Sequence, residues 1–315
     1  MNIVYSHLVE YTQYIVTEDD EGKRLDRVIR RLLPDLPLSG IYRLIRKGVV
    51  RVEGKKAGQS CALIRGMKIS VPVSCIDTST SITVPKSRTE GWESMILLET
   101  KDLLFINKPA GIPVHGDNGL DRMIPVSSAS KASLSFHSGP LHRLDQGTTG
   151  CIAFSRTLEG ARWFSAGIKD KRIGKMYIAI LDGLLITKDR WIDHDEEGKQ
   201  MISQVIPLAT SDKGKTLSLF FIETGRKHQI RKQAAHHGYP LEGDIRYGQR
   251  SSCGRYYLHA WSLRFPDDRP MDLPPILEAP IPHEFTQRVA DLFTKEVLAH
   301  FDFPAIYWSE HEKLK

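Results

Sequence analysis

Residues 141–150, Leu-His-Arg-Leu-Asp-Gln-Gly-Thr-Thr-Gly, place one carboxylate, Asp145, where it can do chemistry. An apolar entry (Leu141, Leu144) precedes it, and a Gly-Thr-Thr-Gly exit leads into Cys151-Ile152-Ala153-Phe154. That pattern predicts a tight loop feeding a buried strand, with Gly147 and Gly150 taking conformations that bulkier residues resist. A carboxylate fixed on a loop beside His142 and Arg143 stays ionised and can act as a nucleophile. The plainer alternative is an Asp that only satisfies the turn. Two later strings carry further candidates. Lys175-Met-Tyr177 opens an apolar strand, and Thr-Gly-Arg226-Lys-His228-Gln-Ile-Arg231 follows another.

The elements that must position these residues follow from periodicity. Ile96–Glu99 and Leu103–Ile106 read as strands joined by a turn, the second running into Asn107-Lys108-Pro109-Ala110-Gly111. Leu158–Lys169 has helical spacing (Ala161, Phe164, Ile168), and Lys175–Ile180 alternates as a strand. Alternation sends Met176, Ile178 and Ile180 to a core and leaves Tyr177 on the less apolar face with Lys175 and Ala179. Leu217–Ile222 is a strand, and a helix follows Arg226 to a stop at Gly238, with His228, Arg231 and Ala235 on one face. His236 and His237 point to different faces and have no zinc-like ligand set. A C-terminal amphipathic helix is expected over 285–298. Residues 117–135, 186–212 and 301–315 carry no clear signal, and 186–212 reads as a variable insertion.

Nearer the N-terminus, after an irregular start, Leu25, Val28, Ile29, Leu32 and Leu33 form one apolar helical stripe, ended by Pro34. A second helix runs from Ser39 as N-cap to Gly48, and Val49–Val52, Glu53-Gly54 and Lys55-Lys56 read as a hairpin. The domain expectation is 14–75, then a Ser- and Thr-rich linker at 76–91, then a larger body at 92–315.

Composition narrows the function classes. With 44 Lys and Arg against 38 Asp and Glu among 315 residues, the net charge of +6 favours a polyanionic partner. No apolar run approaches the ~20 residues of a membrane span, and Met1–Tyr5 lacks the charged head and apolar core of a signal peptide. Four cysteines with no Cys-x-x-Cys pair read as reduced thiols of a cytoplasmic protein, not as a zinc site or disulfide framework. Neither a dinucleotide nor a Walker pattern is present.

The string around Asp145 resembles the signature loop of the RluA-type RNA pseudouridine synthases, His-Arg-Leu-Asp-x-x-Thr-Ser-Gly, with Thr149 in place of the usual Ser. Asn107–Gly111, Lys175-x-Tyr177, Thr224–Arg231, Glu242-Gly243-Asp244 with Tyr247-Gly248, and Leu258-His259-Ala260 continue that resemblance from about residue 96 to 283. The two-helix and hairpin segment is similar to a small S4-like RNA-binding domain, with Glu53 where that family commonly has Asn. The resemblance implies an α+β fold, with a mainly antiparallel catalytic sheet beside a small N-terminal domain.

Isomerising a uridine breaks its glycosidic bond, turns the base and rejoins it through carbon. No redox or phosphoryl step occurs, so no cofactor and no metal is implied. The resemblance makes Asp145 the nucleophile, Tyr177 the aromatic that stacks on the base, and Arg231 the cation beside Asp145; arginine suits that place because it stays charged when partly buried. Arg143, Arg226 and His228 become substrate contacts. Arg27, Arg43, Arg46, Lys47 and Arg51 become phosphate contacts of the N-terminal domain. Ribosomal RNA is favoured over transfer RNA as partner, and the protein is expected to be a monomer. A phosphotransferase reading, from the kinase-like His-Arg-Leu-Asp, lacks the downstream Asn and any glycine-rich loop. A non-catalytic RNA-binding protein is expected to have lost Asp145, Tyr177 or Arg231, and all three are present.

Overall fold

The structure is a computed structural model and describes residues 10–76, 91–124, 133–134, 136–248, 255–302 and 304–312. The chain divides into two compact units, Met1–Lys86 with Ser127–Ser138, and Ser87–Val126 with Gly139–Lys315.

The smaller unit holds strand β1 (Tyr11–Ile15), helices α1 (Leu25–Leu32) and α2 (Leu38–Arg46), strands β2 (Arg51–Val52), β3 (Lys55–Lys56) and β4 (Lys68–Pro72), and the short helix α3 (Val73–Ile76). Its sheet runs β1-β4-β2-β3. The predicted apolar stripe packs inward, with Leu25, Val28, Ile29 and Leu33 meeting Ile41, Ile45, Val50 and Ile69. The hairpin turns on Glu53 and Gly54, at φ of 50° and 72°, the paired left-handed backbone of a tight two-residue hairpin loop. Glu53 tolerates that conformation with its side chain accepting from the Lys68 N–H. Within the segment before α1, residues 11–15 are not irregular, since β1 pairs along its length with β4. Pro37, not Ser39, precedes the second helix and offers no side-chain cap. Part of the unplaced stretch 117–135 also belongs here: the Leu134 N–H donates to the buried Asp20 carboxylate at 2.8 Å.

The larger unit is built on strands β5 (Ile96–Glu99), β6 (Leu103–Lys108), β7 (Gly139–Pro140), β8 (Thr149–Ser155), β9 (Gly174–Asp182), β10 (Asp189–His194), β11 (Gln200–Thr210), β12 (Lys215–Ile222), β13 (Leu258–Arg264) and β14 (Ile276–Glu278). Its helices are α4 (Leu120–Met123), α5 (Leu158–Lys169), α6 (Gln229–His236), α7 (His283–Leu292) and α8 (Pro304–Glu312). The sheet order is β10-β11-β12-β9-β13-β8-β6-β5, with β14 beside β13 and β7 beside β8. All these pairs are antiparallel except β8 with β13. The fold is therefore α+β with a mainly antiparallel sheet, as the resemblance implies.

Both faces of the sheet are covered. Met176, Ile178 and Ile180 of β9 meet Leu217, Leu219, Phe285, Val289 and Trp308. Tyr177, Ala179 and Leu181 of the same strand meet Phe220, Ile230 and Ala234 on the other face. Alternation thus separates the two sets as expected, yet Tyr177 lies on a buried face, not a polar one. Residues 186–212, read as an insertion, supply β10 and β11 and extend the central sheet. The expected helix over 285–298 breaks at Phe293, whose backbone is extended. Trp308 of α8, from the unassigned tail, is buried and donates to Ser262 Oγ at 2.9 Å.

Candidate active site

The loop 141–148 is held from several sides. The Ala153 N–H donates to His142 Nε2 at 3.0 Å, and the His142 ring lies flat on Phe164, 5.8 Å between centroids. Desolvation, with the nearby Lys175 ammonium, lowers the His142 pKa to about 3, so the ring serves as a neutral acceptor that anchors the loop to β8. Lys108, at the end of β6 and fully buried, donates to the carbonyls of Pro109 at 2.8 Å and of Gln146 at 3.0 Å. Gln146 is further paired with Gly111, both backbone to backbone and through its side chain, at 2.8 Å each. The Asn-Lys-Pro-Ala-Gly turn therefore grips the residue next to Asp145.

The glycines of the exit answer to close approach. A Cβ on Gly150 would sit 2.2 Å from the Ala260 carbonyl oxygen, at a φ of 109°. This is where β8 runs parallel to β13. A Cβ on Gly147 would meet the Tyr256 ring at 2.9 Å. Between them Thr149 Oγ1 lies 2.8 Å from His259 Nδ1, and His259 Nε2 lies 3.1 Å from the Ala279 carbonyl. That carbonyl fixes the proton on Nε2, so Nδ1 accepts from the threonine hydroxyl. Burial lowers the His259 pKa to about 4, which keeps the ring neutral. A hydroxyl at 149 is what this buried contact requires, and threonine supplies it as serine does.

Asp145, 13% exposed at its side chain, faces Arg231 Nη1 and His228 Nε2, each at 3.6 Å from a carboxylate oxygen. Arg231 stands on α6, and its shortest contacts are to Asp244, Nε at 2.7 Å and Nη2 at 2.8 Å. Its guanidinium also lies over the Tyr256 ring at 4.3 Å and the Tyr247 ring at 5.1 Å. Such a two-pronged pair fixes both position and charge. His228 precedes α6 in a left-handed conformation, φ 56°, with Nδ1 2.8 Å from the Tyr247 hydroxyl. Burial lowers its pKa, against the pull of Asp145. The neutral ring that donates from Nε2 toward Asp145 accepts from Tyr247 at Nδ1.

A single cavity of about 580 Å³ is lined by Arg143, Asp145, Tyr177, Arg226, His228 and Arg231. Every candidate site residue of the larger unit thus meets in one place. Burial, with the Asp145 charge behind it, raises the Tyr177 pKa, so the phenol carries its proton. Arg143 and Arg226 are exposed at the rim. Arg27, Arg43, Arg46, Lys47 and Arg51 belong to the smaller unit and are all exposed. Arg51 lies 5.4 Å over the Tyr11 ring.

Sequence reasoning missed Lys108, Asp244, Tyr247 and Tyr256 as site residues. Asp244 and Tyr247 stood inside a recognised string, but their pairing with α6 depends on the turn between them. One expectation is corrected: His236 and His237 do not diverge, because both Nε2 atoms approach Asp193, at 3.6 and 3.2 Å. Among the described residues, no group of three or more His, Cys, Asp or Glu side chains is placed to hold a metal ion.

Comparison with known proteins bears on this cavity. The family described as RNA pseudouridylate synthase matches residues 102–236, the span that carries Asp145, Tyr177 and Arg231. A relative from Buchnera aphidicola subsp. Schizaphis graminum, "Ribosomal large subunit pseudouridine synthase C", is 30% identical over 284 residues, 79% of this chain and 88% of its own length. The chain belongs to the RluA-type RNA pseudouridine synthase family. A protein of the same description from Vibrio vulnificus is 27% identical over 307 residues, 89% of this chain and 96% of its own. The solved structure "Human RNA Pseudouridylate Synthase Domain Containing 4" shares the fold, with a TM-score of 0.51 at 21% identity, over 64% of this chain and 95% of that one. The chain is thus an RNA pseudouridine synthase, an isomerase.

Proposed function

We propose that this synthase converts uridine to pseudouridine in large-subunit ribosomal RNA, with Asp145 as nucleophile. The observation that carries the reading is the mostly buried Asp145 carboxylate in its cavity, facing Arg231 and His228 and sharing the lining with Tyr177. The target uridine leaves its stack to reach Asp145, which costs a few kcal/mol. Stacking on Tyr177 offsets roughly 1–3 kcal/mol of that. Asp145 attacks C1′ of the sugar as the bond from N1 breaks, the freed base turns, and C5 displaces the carboxylate from C1′. C5 then loses its proton and N1 gains one, so product and substrate are isomers. Arg231, held by Asp244, keeps a positive charge beside the carboxylate throughout. Arg143 and Arg226 hold phosphates or the displaced neighbour at the rim.

The ribosomal assignment rests on the names of the relatives, and the exposed cations of the smaller unit supply affinity to such an RNA. No described helix is long and apolar enough to cross a membrane, which suits an enzyme that meets ribosomal RNA in the cytoplasm. Mapping pseudouridine in total RNA from cells with and without the gene tests the reading. Sites that vanish from large-subunit RNA, and return with the wild type but not with Asp145→Asn, are the expected result. Loss confined to transfer RNA overturns the ribosomal target, and full restoration by Asp145→Asn overturns the mechanism.

A further inference from the structure

Beside the Asp145 cavity lies a second one of about 620 Å³ that the isomerisation does not use. Five basic side chains line it, Lys171, Arg172, Lys175, Arg190 and Arg264, against one carboxylate, Glu223. Lys175, Lys171, Glu223, Ile168 and Ile222 line both cavities, so the two are continuous along the ends of β9 and β12. Arg190 comes from β10 and Arg264 from β13, strands at opposite sides of that pair.

Three features suit the cations to an anion. Glu223 accepts from Lys171 at 3.0 Å and from Arg190 at 2.9 Å, which fixes two long side chains in place while leaving the group positive. Arg172 pairs with Asp268, but that carboxylate is 69% exposed, and such surface pairs contribute only about 0–1 kcal/mol. Exchanging Asp268 for a phosphate therefore costs little. Lys175 has no carboxylate within ion-pair distance among the described residues, and burial lowers its pKa to about 8. It gains more than its neighbours from an incoming negative charge.

We propose that this second cavity is a phosphate subsite, which holds the RNA backbone next to the target nucleotide as the strand leaves the Asp145 cavity. A nucleotide flipped onto Tyr177 stays joined to its neighbours through phosphates, and the cations that bridge the two cavities lie on one way out. The inference rests on the proposed RNA substrate for its ligand, and on the charges and the shared wall for its position.

The test is binding of a 12-residue oligouridylate across a salt series, by wild type and by the double variant Arg172→Gln, Arg190→Gln. Both arginines are exposed, and an unchanged melting curve checks the fold. Lys213→Gln is the control, because Lys213 lies just beyond the far end of β12, and the strand between it and Glu223 spans roughly 23 Å. Loss of two phosphate contacts lowers the slope of log affinity on log salt by about 1.4 and weakens binding about tenfold at physiological salt. With an RNA substrate, KM rises to match while kcat stays within twofold. A slope equal to that of the wild type overturns the subsite, as does an equal loss in Lys213→Gln, which leaves only a diffuse field. If the wild type binds RNA but forms no pseudouridine, the proposed function fails and the binding comparison still decides the subsite.

Discussion

Arg231 makes its two short hydrogen bonds to Asp244, at 2.7 and 2.8 Å, while its remaining nitrogen stands 3.6 Å from Asp145. The guanidinium is thus oriented by one carboxylate and presented to another. Asp244 is almost wholly buried, at 1% exposure, and its pKa is lowered, since hydrogen bonding and charge from Arg231 outweigh the burial that opposes them. An arginine bound two-pronged to Asp145 itself would occupy the oxygens a substrate must meet. Asp244 removes that competition.

Asp244 is accordingly a positioning residue. Asp244→Ala strands a buried guanidinium and is expected to lower stability by about 3–5 kcal/mol. Asp244→Asn keeps one acceptor, loses less stability, and lets Arg231 drift toward Asp145. A displacement near 1 Å is enough for a loss of about 10²-fold in turnover. Urea midpoints and single-turnover rates measure the two effects. Asp244→Ala with wild-type stability sinks the argument.

Lys108 gives a pH dependence with a definite sign. Burial lowers its pKa from 10.5 to about 8, with the Asp145 charge acting the other way. Between those values the unfolded chain binds more protons than the folded one, so stability rises with pH. Its contribution is complete above 10.5 and is lost as pH falls through about 8. Lys108→Met removes that titration and leaves Lys175 unchanged in both proteins. From pH 7.5 to 10.5 the wild type is expected to gain about 3 kcal/mol relative to the variant. Denaturant unfolding at the two pH values reads it directly. A difference that does not change with pH leaves Lys108 without a buried charge.

The cations of the smaller unit are expected to act on affinity and not on chemistry. Removing the whole unit is a poor test, because the Leu134 N–H, much later in the chain, is bound to Asp20. Arg43→Gln with Arg46→Gln and Lys47→Gln leaves the apolar stripe intact and is expected to reduce the salt slope by about 2 for a single-stranded RNA. Turnover at saturating RNA stays the same. An unchanged slope makes this a solvated face only.

Much of this was legible in the sequence, for reasons the structure makes plain. Helix α5 and strands β6, β8 and β12 are covered by apolar partners, and burial imposes clear periods of 3.6 or 2 on their sequences. The cavity was legible because its residues sit in short strings tied to single turns. Strands β1 and β10 were not: both are edge strands, β10 with only Trp191 of six residues buried. An edge strand facing water carries little alternation. The Asp244 and Tyr256 contacts to Arg231 were also hidden, because they depend on how separate loops close over α6. No local period encodes that.

Tyr177 separates two roles that the cavity permits. Its ring lines the cavity with Asp145 and is 7% exposed, which suits a platform for the flipped base. Its phenol is held protonated by burial and by the nearby Asp145 charge, so it enters the reaction able to donate and must be recharged after any transfer. Rejoining the base through C5 leaves a proton there, and a phenol at the base edge can relay it to solvent. A platform alone makes Tyr177→Phe nearly silent, since the ring remains. A relay makes the same change costly, within the ~10²–10⁴-fold range of general acid–base groups. The relay is the expected result, with Tyr177→Leu slower still because stacking goes as well. Single-turnover rates, with RNA affinity measured separately, tell the two apart. Near-normal turnover by Tyr177→Phe reduces the residue to a platform, and the proton must then leave by another route.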